Sequence, residues 1–300
     1  MAIMGFGGGA FIASPLSVWL MSQFATPTHV GVAETFLVLG ASYFCFMIVG
    51  AAIVRVPAPG WKPEGYVAPA ESKKLITNQN VYVYDALKTP QFWLIWAVLT
   101  LNVTAGIGVI GMASPMLQEV FAGKLIGLAK VFNDLTPDEK AQIATIAAGF
   151  TGLLSLFNIA GRFFWASLSD YIGRKTTYFV FFALGTVLYA YAPTAGALGQ
   201  IALFVGVFCI ILTMYGGGFA TVPAYLADIF GTQFVGAIHG RILTAWSTAG
   251  VLGPVLVNYI REYQLDHGVE RAQAYHTTMY ILAGLLVIGF ICNWMIRPVD

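Results

Sequence analysis

One arginine stands where a charge is costly. Arg162 lies inside the apolar run from Ala141 to Leu168, which holds no other charged residue. A charge within a membrane span costs about 2.5–3.5 kcal/mol on insertion scales, so such a residue is a functional candidate by default. Its chemistry is specific. A guanidinium stays protonated and offers a planar fork of donors that matches a carboxylate. Asn158 stands one helical turn earlier and Ser155 two turns earlier, so all three can share a face. Asp170 follows Arg162 by eight residues, roughly 12 Å at 1.5 Å per residue, which puts the guanidinium well inside the span. The alternative role is an arginine that snorkels toward the headgroups or bonds backbone carbonyls at a helix break.

Other polar residues inside apolar runs extend the candidate list. Tyr215 can reach a substrate carboxylate, or it can serve as an interior tyrosine bonded to backbone. It precedes Gly216, Gly217 and Gly218, which, like the run from Gly5 to Gly9, suit close helix contact or hinge-like bending. Asn102 and Thr104 spell a glycosylation acceptor that cannot be used inside a span; with Gln118 they are candidates to line a pathway. Trp246 stands at mid-span with Ala245, Ser247 and Thr248, a neutral wall with no lysine. His239 and Arg241, near the end of that span, read as an interfacial pair snorkelling toward headgroups.

The elements that position these residues follow from composition. The chain is 58% hydrophobic and 10% charged, against about 25% charged in soluble domains, and its mean hydropathy is +0.76. A net charge of +1 and the lack of a long basic run exclude a nucleic-acid partner. Cys45, Cys209 and Cys292 sit far apart in apolar runs and have no disulfide or metal spacing. No span carries a His/Asp/Glu cluster and no Walker glycine–lysine motif occurs, so neither an enzyme nor a cofactor is expected. The reading is an all-α membrane protein with about eight transmembrane helices, multi-pass in an inner membrane, with the lipid bilayer as its partner.

The eight spans are placed at residues 2–24, 32–54, 91–121, 141–168, 176–191, 198–226, 237–260 and 277–296. Between the second and third, a segment with Pro57, Pro59, Pro63 and Pro69 has no run long enough to cross and reads as a surface linker. Arg55, Lys62, Lys73, Lys74, Lys88, Arg174, Lys175 and Arg297 fall on one face, which places the linker in the cytoplasm. The opposite loops hold Lys124, Lys130, Lys140, Arg261 and Arg271 interleaved with acids, Glu119 among them. An internal repeat is also visible. Residues 4–20 align with 243–259 at an offset of 239, matching Pro15 to Pro254, Ala10 to Ala249 and Val18 to Val257.

Residues 161–175, GRFFWASLSDYIGRK, resemble the loop signature of the major facilitator superfamily, and parallel six-helix repeats are that superfamily's construction. Residues 89–119, 157–175, 230–254 and the string GFGGGAFIASPL at the start are similar to the oxalate/formate antiporter family. The resemblance implies a partial major facilitator fold: residues 1–54 as the last two helices of an N-terminal half, 55–90 as a cytoplasmic linker and 91–300 as a complete six-helix C-terminal half. Four helices are then expected upstream as a partner for this chain. The resemblance also implies exchange or uptake of small carboxylates, a place for Arg162 in the substrate pocket, and a conformational gate at Asp170, Arg174 and Lys175; Asn158, Asn102, Tyr215 and Trp246 are the substrate-binding candidates set beside Arg162. A plain cation-bearing loop is the alternative for that turn.

The sequence departs from the oxalate pattern in one respect. There, a lysine on the eleventh helix supplies a second cation, whereas the matching helix here is neutral at mid-span. One fixed cation matches a monoanion such as formate, pyruvate or lactate better than a dianion. The other readings are an oxalate/formate exchanger and a non-transporting membrane sensor or scaffold.

Overall fold

The computed structural model describes residues 2–55, 58, 61, 64, 65, 77 and 79–299, without the side chains of residues 2–8, 10, 11 and 14. Pro57, Pro59, Pro63, Pro69, Lys62, Lys73 and Lys74 therefore lie outside the described residues, as does the packing around Gly5–Gly8. The chain divides into two compact units, Gly9–Ser72 and Lys73–Asp300 together with Met1–Gly8.

The smaller unit is a helical hairpin. Helix α1 spans Ala2–Phe24 and contains Pro15, and α2 spans Val32–Ile53. The turn between them is fixed locally: the Thr26 amide donates to the His29 carbonyl at 2.8 Å. Gly31 adopts φ +73°, and a Cβ there would collide with Phe24 and the Met21 carbonyl at 2.8–2.9 Å, so only glycine fits. Leu20, Thr35 and Leu39 are buried, whereas Phe36, Leu37, Phe46 and Met47 point outward. Outward apolar side chains on helices are what a hydrocarbon solvent selects.

The larger unit is a six-helix bundle: α4 (Pro90–Phe121), α5 (Pro137–Ile172), α6 (Arg174–Ala197), α7 (Ile201–Phe230), α8 (Val235–Asp266) and α9 (His276–Met295). With α2, these make seven described helices long and apolar enough to cross a membrane, and α1 adds a further 23-residue apolar helix. Several helices overrun the expected spans, and at the start of α5 the cause is a cap that hydropathy does not weigh. Thr136 and Glu139 form a reciprocal capping box at 3.3 and 2.8 Å, with Pro137 in the first turn, so α5 begins four residues before the apolar run. Gly173, at φ +87°, separates α5 from α6.

Helices α4 and α7 occupy the interior. Helix α5 packs on α7, α8 on α4, and α9 on both α6 and α4. The α4–α8 crossing is close because Gly108 meets Gly253; a Cβ on Gly253 would stand 2.8 Å from the Thr104 carbonyl. One end of the bundle, the near end, gathers residues 77, 79–89, 173–175, 231–234 and 296–299. Residues 77 and 79–89 lie within the stretch read as linker, yet they are tied to the bundle. The Thr77 amide donates to the Asp228 carbonyl and the Val81 amide to Phe230. A short helix α3, Val83–Ala86, buries Val83 and Ala86 in the core.

Candidate substrate site

Glycine decides where Arg162 points. At the α5–α7 crossing a Cβ on Gly161 would overlap the Thr213 backbone, and one on Gly216 would overlap the Asn158 carbonyl. The two backbones therefore touch in the turn that leads into Arg162. The Trp165 indole N–H donates across the same crossing to Thr213 Oγ1 at 3.1 Å. Arg162 is 4% exposed, and its Nε donates to Asn158 Oδ1 at 3.0 Å. Ser155 and Asn158 are buried on the same helix, as their spacing requires.

A ring the sequence does not single out covers the guanidinium. The Phe219 centroid lies 5.3 Å from Arg162 Cζ, within cation–π range. Phe219 in turn packs on Trp246 of α8, with centroids 5.9 Å apart at 56°. Tyr215, one turn before Phe219, is within electrostatic reach of Arg162 and shares a hydrogen bond with Trp246. Arg162, Asn158, Phe219, Tyr215 and Trp246 thus form one group across α5, α7 and α8. Such a group can hold a planar anion: a charged fork on one side, aromatic faces and a phenol on the other.

Asn102 stands elsewhere. It lies 6% exposed on α4, with its amide pressed against Gly218, and lines a small interior cavity together with Tyr189 and Tyr215. Gln118 Nε2 donates to Ser114 Oγ, while Arg241 donates to the Ala237 carbonyl and stacks on Tyr84 at the near end.

The near-end turn splits into two destinations. Arg174 donates to Asp170 Oδ1 at 2.5 Å and to the Ser169 carbonyl at 2.8 Å, and Asp228 of α7 stands 3.7 Å from its Nε. Lys175 turns away and donates to the Trp294 and Ile296 carbonyls at 3.1 and 2.5 Å, capping the C-terminal end of α9. Asp228 is a residue that sequence reasoning passed over.

The opposite, far end holds the densest ionic cluster among the described residues. Glu119, counted above with the loop acids, belongs to the last turns of α4 and is 7% exposed. It receives Arg261 through two nitrogens, Tyr275 Oη at 2.6 Å and Arg271 Nη1 at 3.1 Å. Burial first, and then the hydrogen bond to Glu119, push the Tyr275 phenol up, so it stays protonated as a donor. Arg271 also donates to Asn133 at 3.1 Å, so one carboxylate joins α4, α8 and the loops that precede α5 and α9. A cavity of about 350 Å³, bordered by Lys130, Phe132 and Arg271, opens beside it.

The profile of the Major Facilitator Superfamily matches residues 1–254 and, again, residues 133–300. The chain belongs to the major facilitator superfamily. Its six-helix bundle and the α1–α2 hairpin are a partial all-α membrane fold of that type. Over 223 residues the chain is 29% identical to an oxalate:formate antiporter of Oxalobacter formigenes, covering 74% of the chain and 46% of the relative. Over 285 residues it is 26% identical to apicoplast pyruvate carrier 1 of Toxoplasma gondii, covering 79% and 48%. An uncharacterized MFS-type transporter of Escherichia coli matches at 21% over 225 residues, covering 74% and 48%. The chain spans about half the length of the curated relatives it matches. The superfamily and these relatives point to a transporter.

Proposed function

We propose that this protein is a secondary active transporter of small carboxylates that favours monocarboxylates such as formate, pyruvate or lactate, working as an antiporter or a proton symporter. The observation that carries the reading is Arg162. Its guanidinium is fixed deep in α5 by Asn158 and roofed by Phe219, with Tyr215 and Trp246 alongside. An anion entering an apolar pathway loses its water, and a positioned fork of donors offsets that loss. The neutral mid-span of α8, Ala245 to Thr248, supports one negative charge over two. The names of two relatives, an oxalate:formate antiporter and a pyruvate carrier, support the carboxylate class. The first of them is also the observation that favours the second reading, an oxalate/formate exchanger.

Asp170, Arg174 and Asp228 serve in this reading as a near-end gate, and Lys175 as the tie that holds α9 to it. The protein is placed in an inner membrane with the near end toward the cytoplasm, on the strength of its loop cations. Uptake of labelled formate and pyruvate into cells producing the protein, with unlabelled oxalate as competitor, tests the proposal. Monocarboxylates are expected to be taken up and to outcompete oxalate. Stronger competition by oxalate selects the exchanger reading, and normal uptake by Arg162→Gln overturns the assignment of the site.

A further inference from the structure

Among the buried polar atoms of the described residues that lack a protein partner, two belong to side chains that line the same cavity. Asn102 Nδ2 on α4 and the Tyr189 hydroxyl on α6 are both buried, and neither makes a hydrogen bond to another described residue. Asn102 is 6% and Tyr189 2% exposed. Neither helix end nor lipid headgroup is near enough in sequence to satisfy them: Asn102 is twelve residues from the start of α4, and Tyr189 eight from the end of α6. Buried donors of this kind are normally paired, and where protein supplies no partner, an ordered water does.

The space matches. Both residues line one cavity of about 10 Å³ between α4, α6, α7 and α9, walled otherwise by Tyr215, Phe181, Met214 and Leu286. That volume accepts the centre of a single water-sized guest, the least that a hydrated site needs. We infer that this cavity binds one ordered water, which joins the Asn102 amide to the Tyr189 hydroxyl and backs the Tyr215 side of the substrate group.

The lining also says why the guest is water and not an ion. Asn102 and Tyr189 each offer both a donor and an acceptor, which is what water requires. No carboxylate lines the cavity, and Tyr215 lies in the field of the Arg162 guanidinium, so a small cation meets repulsion without compensation. The inference concerns a different cavity from the anion group and stands whichever carboxylate is carried. It also turns Asn102 from a pathway residue into one that ties α4 to α6 from within.

A density map of the protein in nanodiscs, at a resolution that shows ordered waters, tests it directly: one peak within 3.2 Å of both Asn102 and Tyr189 is expected, and an empty cavity overturns the inference. Thermal unfolding supplies an independent test. Tyr189→Phe and Asn102→Leu each remove one of the water's partners and strand the other, so each should lower Tm by several degrees. The double variant strands nothing and should lose clearly less than the sum of the two; strictly additive losses overturn the water bridge. Exchanging sodium for choline in the buffer should leave Tm unchanged. A sodium-dependent shift that Tyr189→Phe abolishes would replace the water with a cation.

Discussion

Two arginines of this chain sit in the same bundle and are handled in opposite ways. At the far end, Arg261 meets the Glu119 carboxylate with two nitrogens, and Tyr275 and Arg271 complete the cluster. At mid-span, the partners of Arg162 include an amide oxygen and a phenyl face. Asn158 and Phe219 orient the guanidinium. The difference separates two uses of a costly charge. One joins helices through a carboxylate supplied by the protein itself, and the other, in the proposed function, presents a fork of donors to the carboxylate being carried.

The comparison is sharpest if the two arginine sites fail differently. Glu119→Leu removes the shared carboxylate and leaves two arginines at the α4–α8 end. Loss of one partner of a buried pair costs about 3–5 kcal/mol; with Arg271 side chain 40% exposed and able to reach water, the lower end applies. A large fall in Tm of the solubilised protein is expected, and an unchanged Tm removes the far-end cluster from the list of structural ties. Arg162→Lys should do the reverse, with little change in Tm and an uptake loss of roughly tenfold to a hundredfold, the equivalent of about 1.5–3 kcal/mol of charge-assisted hydrogen bonding. Matched thermal-shift and uptake series on both variants decide whether the two arginines are in fact distinct.

Phe219→Leu probes the roof. Removing a cation–π contact costs about 0.5–2 kcal/mol, so a change of a few-fold in the apparent affinity for substrate is expected with the protein still folded. An identical dose–response curve would dissociate Phe219 from the site. The smallest effect is expected at Asp170, whose side chain is 65% exposed in its pair with Arg174. Such pairs contribute about 0–1 kcal/mol. Asp170→Asn should therefore leave binding and Tm nearly intact and slow turnover, because it shifts the balance between two access states and not the pocket. Loss of binding in a folded Asp170→Asn protein would remove the gate assignment.

What the sequence made legible depended on contrast. Arg162 was visible because it is the one charge in a long apolar run, and Asn158 because four residues on a helix is one turn. Thr136 and Glu139 carried a capping signal that lengthens α5, but it lies in a polar loop that a hydropathy reading passes over. Phe219 gave no signal at all, since a phenylalanine among apolar residues looks like any other. Glu119 was misplaced with the loops because its partners, Arg261 and Tyr275, lie 142 and 156 residues later. Only helix pairing in three dimensions shows that a carboxylate so near a span's end is buried. Asn102 was visible as polarity inside a span, but which helices surround it was not. Lys175 was grouped with Asp170 and Arg174 by adjacency, although successive residues at a helix start point in different directions.

Three consecutive glycines on α7 set a limit on how this bundle moves. Gly216 receives the Asn158 backbone, Gly217 the Trp165 ring and Gly218 the Asn102 amide. Sliding α7 by one residue in either direction would bring Tyr215 or Phe219 against a neighbour that tolerates only hydrogen at that spot. Helix α7 therefore has no alternative register against α5 or α4, and the three can turn or tilt only together. Whatever tilts this bundle in the membrane carries Arg162 and its aromatic roof along as a single piece, so in the proposed function an anion would ride with its binding site instead of being handed from one helix to another.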